Sequence, residues 1–291
     1  MSANTPEKSG FALTLASSEL GFNVHAGFLD ALTGGLGIRP EHIGAVSSGS
    51  YVGGLYAAGF DPHAIHEILS RKEMARSFLE WLAPLRGMGL LFNLPGHTGL
   101  IRGDKAAAYL KKQLGEIRIE ECNRAKLSLA VTNLTKGRSE IVRSGPLVEF
   151  IIASCSVPLV FRAKPIEGSF YCDGAVSDSS PFHHFIRDPG VETILVHEVR
   201  HEPRSQPHSK PLTISGVFAR SHQIITDRVL DLCVEHADHA GKRVLILTSI
   251  VPRHRWGKKG VAKHLFEAGR RTVMDNESRI QQLMTLKGKT S

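Results

Sequence analysis

The chain of 291 residues is 42% hydrophobic and 22% charged, a balance that excludes a largely disordered protein and allows a substantial buried core. Its four cysteines lie far apart without a C-x-x-C spacing, which excludes a disulfide framework and a cysteine-based zinc site. The formal net charge of +8 favours anionic partners.

The chain alternates apolar segments with helical patterns, which is typical of an α/β domain with three layers around a central, mostly parallel sheet. The Asp61-Pro62 pair predicts a helix start, because aspartate caps helices and proline suits the first helical position. The elements predicted up to this point are a strand at 11–16, a helix at 22–34, a strand at 43–46 and a helix at 49–59.

Prolines and glycines interrupt residues 73–102, which we predict to be a mobile cap or loop region. We expect a disordered N-terminus at 1–10 and a single domain at 11–291, in which the last third of the chain completes the sheet. The elements predicted after residue 102 are a helix at 104–114, a hairpin of 127–133 and 139–142, a helix at 147–154, a strand at 191–199, a polar linker at 203–211, a helix at 217–239, a strand at 243–250 and a long amphipathic helix at 261–284.

Ser47 lies where a predicted strand ends and a predicted helix begins. A serine at such a turn holds its Oγ above the sheet, and small residues two positions away on each side allow the strand and the helix to approach closely. Ala45 and Gly49 are these small neighbours. The amides and dipole at the start of the helix favour a developing alkoxide, so Ser47 is a candidate nucleophile. Its local sequence fits an ordinary helix N-cap equally well.

Three short segments follow one another in a fixed order along the chain: 45–49 around Ser47, then 154–161, then 171–181 around Asp173-Gly174-Ala175. Together they resemble the patatin-like phospholipase family, which carries a G-x-S-x-G turn, a Ser-x-x-x-Pro-x-x-Phe segment and an Asp-Gly-Ala or Asp-Gly-Gly motif. The likeness spans roughly residues 11–200. It implies a three-layer α/β/α patatin-like fold with a central, mostly parallel sheet.

The resemblance also implies a lipid acyl-ester hydrolase of the phospholipase A or lysophospholipase kind that uses a Ser–Asp dyad. Ser47 would be the nucleophile and Asp173 the general base, with an acyl-enzyme as the intermediate. Because an aspartate carboxyl has an ordinary pKa of about 3.9, this role requires burial that raises the pKa of Asp173. By itself, Asp173-Gly174 is also typical of a tight turn.

The family usually has a glycine-rich run with a basic residue after the first strand, whose backbone amides form the oxyanion hole. The corresponding segment here contains a single glycine and no arginine or lysine. Amides of other residues can serve, and loss of one donor typically costs about 10²–10³ in rate. The residues that the resemblance implies for the oxyanion hole are Ser17, Ser18, Glu19, Gly21 and Phe22.

Two other functions fit parts of the sequence. His183, His184 or His197 follows Asp173 and would complete a Ser–His–Asp esterase triad. A catalytically impaired patatin-fold protein that binds lipid or protein is favoured by the altered loop at 17–22 and by alanine in place of glycine at position 45.

The expected partner is a phospholipid or another acyl-ester lipid, with peripheral contact with an anionic membrane through the basic segments 253–259 and 270–271. These basic residues also fit a simple solvated surface, and no nucleic-acid partner is expected because no recognition motif accompanies the charge. His236 and His239 lack an accompanying carboxylate pattern, so no metal is expected, and no cofactor is implied. No apolar run approaches the roughly 18 residues of a membrane span, and the start of the chain does not resemble a secretory signal, which predicts a cytoplasmic protein.

Overall fold

The computed structural model describes residues 10–78, 80, 83–92, 94–202, 213–252 and 260–285. The predicted linker at 203–211 and the basic segment at 253–259 lie outside the described residues, as do residues 1–9 of the predicted disordered N-terminus. The helices are α1 (Phe22–Asp30), α2 (Ser48–Ala57), α3 (Pro62–Ser70), α4 (Lys72–Ser77), α5 (Ala83–Leu91), α6 (Asp104–Leu114), α7 (Leu147–Ser154), α8 (His183–Ile186), α9 (Ile214–His239), α10 (Val261–Met274) and α11 (Glu277–Thr285).

The strands are β1 (Gly10–Leu15), β2 (His42–Ala45), β3 (Gly99–Ile101), β4 (Lys126–Asn133), β5 (Arg138–Val142), β6 (Leu159–Phe161), β7 (Lys164–Ile166), β8 (Ser169–Asp173), β9 (Val191–His201) and β10 (Arg243–Val251). The central sheet has the order β10-β9-β1-β2-β4-β8-β7, and β5 pairs with β4. Strands β10, β9, β1, β2 and β4 are parallel to one another, whereas β5 and β8 each pair antiparallel with β4, and β7 pairs antiparallel with β8. A separate pair consists of β3 and β6.

Helices cover both faces of this sheet. Successive side chains of a strand point to opposite faces, and Leu13 and Leu15 belong to the large core that includes residues of α1, α2 and α7. On the opposite face, Ala12 packs with Phe182, Phe185 and Ala237, which lie in or beside α8 and α9. The predicted α/β fold with a mostly parallel central sheet is confirmed.

The register of β1 and β2 brings two loops together at the carboxyl edge of the sheet. Leu15 pairs with Ala45, so the residues that follow each strand, Ala16 and Val46, leave the sheet side by side. In open α/β sheets this edge is where ligand sites form.

Two predictions of local structure are wrong. For residues 73–102, predicted to be a mobile cap or loop region, the loop alternative is wrong, because the segment includes most of α4 and all of α5 and β3. Pro84 does not prevent α5, since it lies in the first turn, where a missing amide costs little. The predicted single helix at 261–284 is divided into α10 and α11. At the break, the Asn276 amide donates to the Thr272 carbonyl at 2.9 Å, a side-chain bond that competes with the helical backbone.

Candidate active site

The turn between β2 and α2 holds Ser47 in a backbone conformation that an L-residue rarely adopts, with φ 52° and ψ −123°. A Cβ added at Gly49 would lie 2.1 Å from the Leu15 carbonyl oxygen, so the close approach of the helix start to β1 requires glycine there. Ala45 is fully buried, and a Cβ added at Gly53 would lie 3.1 Å from its methyl group. The methyl group at position 45 is therefore accommodated by the glycine on the facing side of α2.

Hydrogen bonds from the surrounding chain hold the backbone of Ser47. The Ser47 amide donates to the Ser154 Oγ at 2.9 Å, and that hydroxyl in turn donates to the Ala130 carbonyl at 2.8 Å. The Ser47 carbonyl accepts from the Ser50 Oγ at 2.6 Å and from the Cys155 Sγ at 3.0 Å. A strained backbone conformation persists only where surrounding contacts hold it in place. The hydrogen bonds to the amide and the carbonyl of Ser47 are such contacts.

The side chain of Ser47 contacts Asp173, which lies at the end of β8. The Ser47 Oγ donates to the Asp173 Oδ2 at 2.8 Å across 126 positions of sequence. The second carboxylate oxygen accepts from the Ala175 amide at 2.8 Å. Asp173 is only 2% exposed, so one oxygen is anchored and the other faces the serine hydroxyl.

Burial raises the pKa of Asp173 from 3.8 to about 7, and the hydrogen bonds from the Ala175 amide and the Ser47 hydroxyl oppose this rise. A carboxylate with its ordinary pKa is a poor proton acceptor at neutral pH. A general base works best when its pKa lies near the operating pH. Burial therefore gives Asp173 a proton affinity that suits a general base at neutral pH.

The segment that follows α7 connects the two residues, and sequence analysis assigned it no role of its own. Ser154 and Cys155 bind the backbone of Ser47, as described above, and the Ser156 carbonyl accepts from the Asp173 amide at 2.9 Å. Three consecutive residues thus contact the backbones of both Ser47 and Asp173 and fix the position of one relative to the other. The serines at 154 and 156 were the signal that the sequence offered. Their partners could not be identified from it, because Ser47 lies 107 positions away and Asp173 lies on another strand.

The predicted oxyanion loop lies against the start of α2. The Ser18 amide donates to the Ser48 Oγ at 3.0 Å, and the two hydroxyls are 2.8 Å apart. The Ser17 amide donates to the Ser179 carbonyl at 2.8 Å. Both amides therefore already have acceptors within the protein.

The rest of the loop leads into α1. Glu19 is exposed, and its carbonyl oxygen lies 2.9 Å from the His201 Nε2. Gly21 is the N-cap residue of α1, and the buried ring of Phe22 meets the ring of Tyr51 edge-on at 5.5 Å. The Glu19 side chain thus lies at the surface rather than in the core beneath the serine turn.

Sequence analysis noted the amides at the start of the helix but did not assign one of them, the backbone amide of Ser48, to the oxyanion hole. Ser48 is the first residue of α2, so its amide has no partner within the helix. In the part of the chain that the structure describes, this amide has no other acceptor. The amide that follows the nucleophile is a regular oxyanion donor at strand–turn–helix serines, and this rule was a signal that could have found it.

The sequence model described as Patatin-like phospholipase matches residues 21–186, which is more than half of the chain. The chain belongs to the patatin-like phospholipase family. The match spans the serine turn, the segment after α7 and the Asp173-Gly174 motif, so the predicted family is confirmed.

The chain is similar to Lysophospholipase NTE1 of Yarrowia lipolytica, with 27% identity over 194 residues, 67% of this chain and 13% of that protein. It is also 29% identical to Lysophospholipase NTE1 of Pyricularia oryzae over 201 residues, 67% of this chain and 12% of that protein. The chain thus spans about an eighth of the length of these relatives.

A solved structure shows the same fold. The crystal structure of VipD from Legionella pneumophila aligns with a TM-score of 0.52 at 13% identity, over 94% of this chain and 67% of that chain. The predicted patatin-like α/β/α fold is confirmed by this likeness.

Two of the three histidines considered for a triad have hydrogen-bond partners other than Ser47 and Asp173. The His183 Nδ1 lies 2.7 Å from Asp178, and the His197 Nε2 lies 3.0 Å from the Ser249 Oγ. Burial lowers the pKa of His184 to about 3, and neither of its ring nitrogens has a hydrogen-bond partner among the described residues. The hydroxyl of Ser47 is bonded to Asp173 directly, without an intervening imidazole.

Two further properties concern metals and membranes. Within the described ranges, no group of three or more histidine, cysteine or acidic side chains is placed to hold a metal ion. None of the helices in these ranges is both long and apolar enough to cross a membrane.

Proposed function

We propose that this patatin-family chain hydrolyses acyl esters of lipids, with Ser47 as the nucleophile and Asp173 as the general base. The observation that carries the proposal is the 2.8 Å hydrogen bond from the Ser47 Oγ to a buried carboxylate whose pKa is raised to about 7. The names of the relatives, which are lysophospholipases, favour a phospholipid or lysophospholipid as the substrate. The catalytic unit is proposed to be a single domain at residues 11–291.

In the first half of the reaction, the Ser47 Oγ attacks the ester carbonyl carbon while its proton passes to Asp173. The C–O bond to the leaving alcohol breaks as Asp173 returns the proton to that alcohol, which leaves the acyl group on Ser47. In the second half, a water molecule gives its proton to Asp173 and attacks the acyl carbon. The fatty acid leaves and Ser47 recovers its proton, so Asp173 alternates between base and acid.

The negative oxygen that forms in each half requires donors. We propose the Ser48 amide as one donor, since it begins α2 and has no acceptor among the described residues. A second donor from the loop at 17–22 is proposed on the resemblance to the family.

A second candidate function is a lipid-binding protein without turnover. The observation in its favour is that the amides of Ser17 and Ser18 already donate to the Ser179 carbonyl and the Ser48 hydroxyl. If no donor of the loop turns toward the substrate, the oxyanion would have one amide instead of two, which costs about 10²–10³ in rate.

Labelling by a fluorophosphonate and hydrolysis of a p-nitrophenyl ester test the proposal together. We expect both in the wild-type protein and neither in Ser47→Ala. Ser70→Ala removes an exposed serine of α3 and is the matched control, which should behave as wild type. Labelling of Ser47 with no measurable turnover would favour the binding protein, whereas equal activity in Ser47→Ala would refute the nucleophile.

A further inference from the structure

We infer that the surface formed by α5, β3 and β6 docks the protein on a phospholipid bilayer that contains anionic lipid. This surface, the apolar rim, is defined by large hydrophobic side chains that are 43–76% exposed on α5, on the turn after it, on β6 and just before β6. Its members are Met88, Leu91, Phe92, Leu94, Val157, Leu159 and Val160. The inference rests on the proposed function only for the choice of phospholipid as the partner.

The elements of the apolar rim form one connected unit. Strand β3 pairs in parallel with β6, with Gly99 opposite Leu159, and α5 packs on β3. The pair is fixed to the core beneath it, since the ring of Phe161 meets the ring of the buried Phe78 edge-on at 5.9 Å. The exposed side chains therefore belong to an ordered surface.

Leu159 has both a strained backbone and an exposed apolar side chain, neither of which stabilises the fold. Its φ is +70°, in the left-handed region that leucine rarely adopts, and its side chain is 60% exposed. Neither the backbone conformation nor the exposure stabilises the fold, because strain costs about 1–3 kcal/mol and an exposed leucine contributes no burial. Such features cluster at functional surfaces.

The charged residues around the apolar rim favour an anionic bilayer as its partner. Residues 87–101 contain no charged side chain, and neither do residues 153–161. The adjoining segments 102–105 and 162–164 supply four basic residues and one acidic residue, Asp104, which lies 3.0 Å from the Arg102 guanidinium and 3.6 Å from the ammonium of the mostly buried Lys164. The Glu80 carboxylate, which accepts from the Arg102 and Gly103 amides, is a second acidic group at this border. The border therefore carries a net positive charge, and its basic residues Arg102 and Lys105 are exposed. An uncharged apolar surface with such a border fits the interface of an anionic bilayer, where apolar groups enter the acyl region and cations remain at the headgroups.

The apolar rim also lies next to the candidate site along the chain. Val157 directly follows Ser156, whose carbonyl accepts from the Asp173 amide. The amide of Phe161 donates back to the Val157 carbonyl at 2.8 Å, which ties β6 to the same turn. Docking through the rim would therefore bring the bilayer surface to the segment that holds the nucleophile and the base.

Vesicle co-sedimentation of protein in a Ser47→Ala background tests the inference apart from hydrolysis, since the lipids then stay intact. The test variant is Leu91→Gln/Phe92→Gln/Leu159→Asn, with asparagine at 159 because it tolerates a positive φ. Leu134→Gln/Met274→Gln removes two side chains of similar exposure outside the rim and is the matched control.

On phosphatidylcholine vesicles with phosphatidylserine, we expect the test variant to lose about tenfold or more in partition coefficient, and the control to match the parent. Removal of phosphatidylserine or addition of salt should weaken the parent's binding.

Equal binding of the test variant and the parent would overturn the inference, as would an equal loss in the control. A concentration-dependent dimer that the same substitutions abolish would overturn it too, because the rim would then be an interface between two copies. Leu91→Gln alone, with a circular dichroism spectrum as a folding check, distinguishes lost docking from misfolding.

Discussion

Replacement of Asp173 by asparagine is expected to raise the free energy of unfolding above neutral pH while it abolishes turnover. Burial raises the pKa of this carboxyl from 3.8 to about 7, so the folded protein binds the proton more tightly than the unfolded chain does. Ionisation of Asp173 therefore destabilises the fold. Asparagine has nearly the same shape and keeps an oxygen for the Ala175 amide, and its NH₂ group can donate to the Ser47 Oγ.

The pKa values set the pH window of this effect. Below about pH 4 the carboxyl is protonated in both states, so its ionisation costs nothing. The cost grows as the pH rises and is complete above the folded-state pKa of about 7. A shift of about three pKa units corresponds to roughly 4 kcal/mol. Between about pH 5 and pH 8, the advantage of Asp173→Asn over wild type should grow by roughly 2–3 kcal/mol.

Urea unfolding followed by circular dichroism at these two pH values measures the effect. All other titrating groups are shared by the two proteins, so the change in their difference isolates Asp173. Ser47→Ala keeps the buried carboxylate and is the control. Because it removes a hydrogen bond that opposes the rise in the pKa of Asp173, its stability should fall with rising pH at least as steeply as that of the wild type. A difference between Asp173→Asn and wild type that stays constant within about 0.5 kcal/mol would refute the argument from burial.

Three further outcomes are expected. The kcat/KM for a soluble ester should rise with pH to a plateau, with a midpoint near the Asp173 pKa of about 7, because only the ionised carboxylate accepts a proton; initial rates across the pH range measure this. Ser154→Ala should lower the free energy of unfolding by about 1–3 kcal/mol and slow hydrolysis, since the Ser47 amide and the Ala130 carbonyl lose a buried partner; urea unfolding and kcat measure the two effects. Gly174→Ala should destabilise by about 1–3 kcal/mol, because its Cβ would lie 2.2 Å from the Ala130 carbonyl oxygen; the change in Tm measures this.

Each of these outcomes has a comparison that can contradict it. A midpoint near pH 4 in the rate profile would mean that the reacting carboxyl is not the buried one. Ser156→Ala removes a buried hydroxyl that donates to the Ile152 carbonyl at 2.7 Å within the same segment, and a loss equal to that of Ser154→Ala would contradict the role of Ser154. At Gly35 an added Cβ meets nothing within 4 Å, so Gly35→Ala should leave Tm nearly unchanged.

The sequence by itself determined most of the local structure. The predicted helices at 104–114 and 147–154 coincide with α6 and α7, and the predicted hairpin is formed by β4 and β5. Periodicity and capping residues act within a few positions of the chain, so such elements can be predicted without knowledge of the rest. Local composition misled the prediction at 73–102, where a proline in a first helical turn marks a helix rather than a loop.

The sequence also indicated Ser47, since the small residues around it fit a strand–turn–helix nucleophile, and the resemblance supplied Asp173. The tertiary structure decided what these residues can do. The proton affinity of Asp173 depends on its burial, and the conformation of Ser47 depends on hydroxyl and thiol partners 107 and 108 positions away. Only the folded chain shows that Ser17 and Ser18 already have acceptors. Hydrogen bonds and desolvation depend on distances between atoms, and packing sets those distances between segments that are remote in sequence.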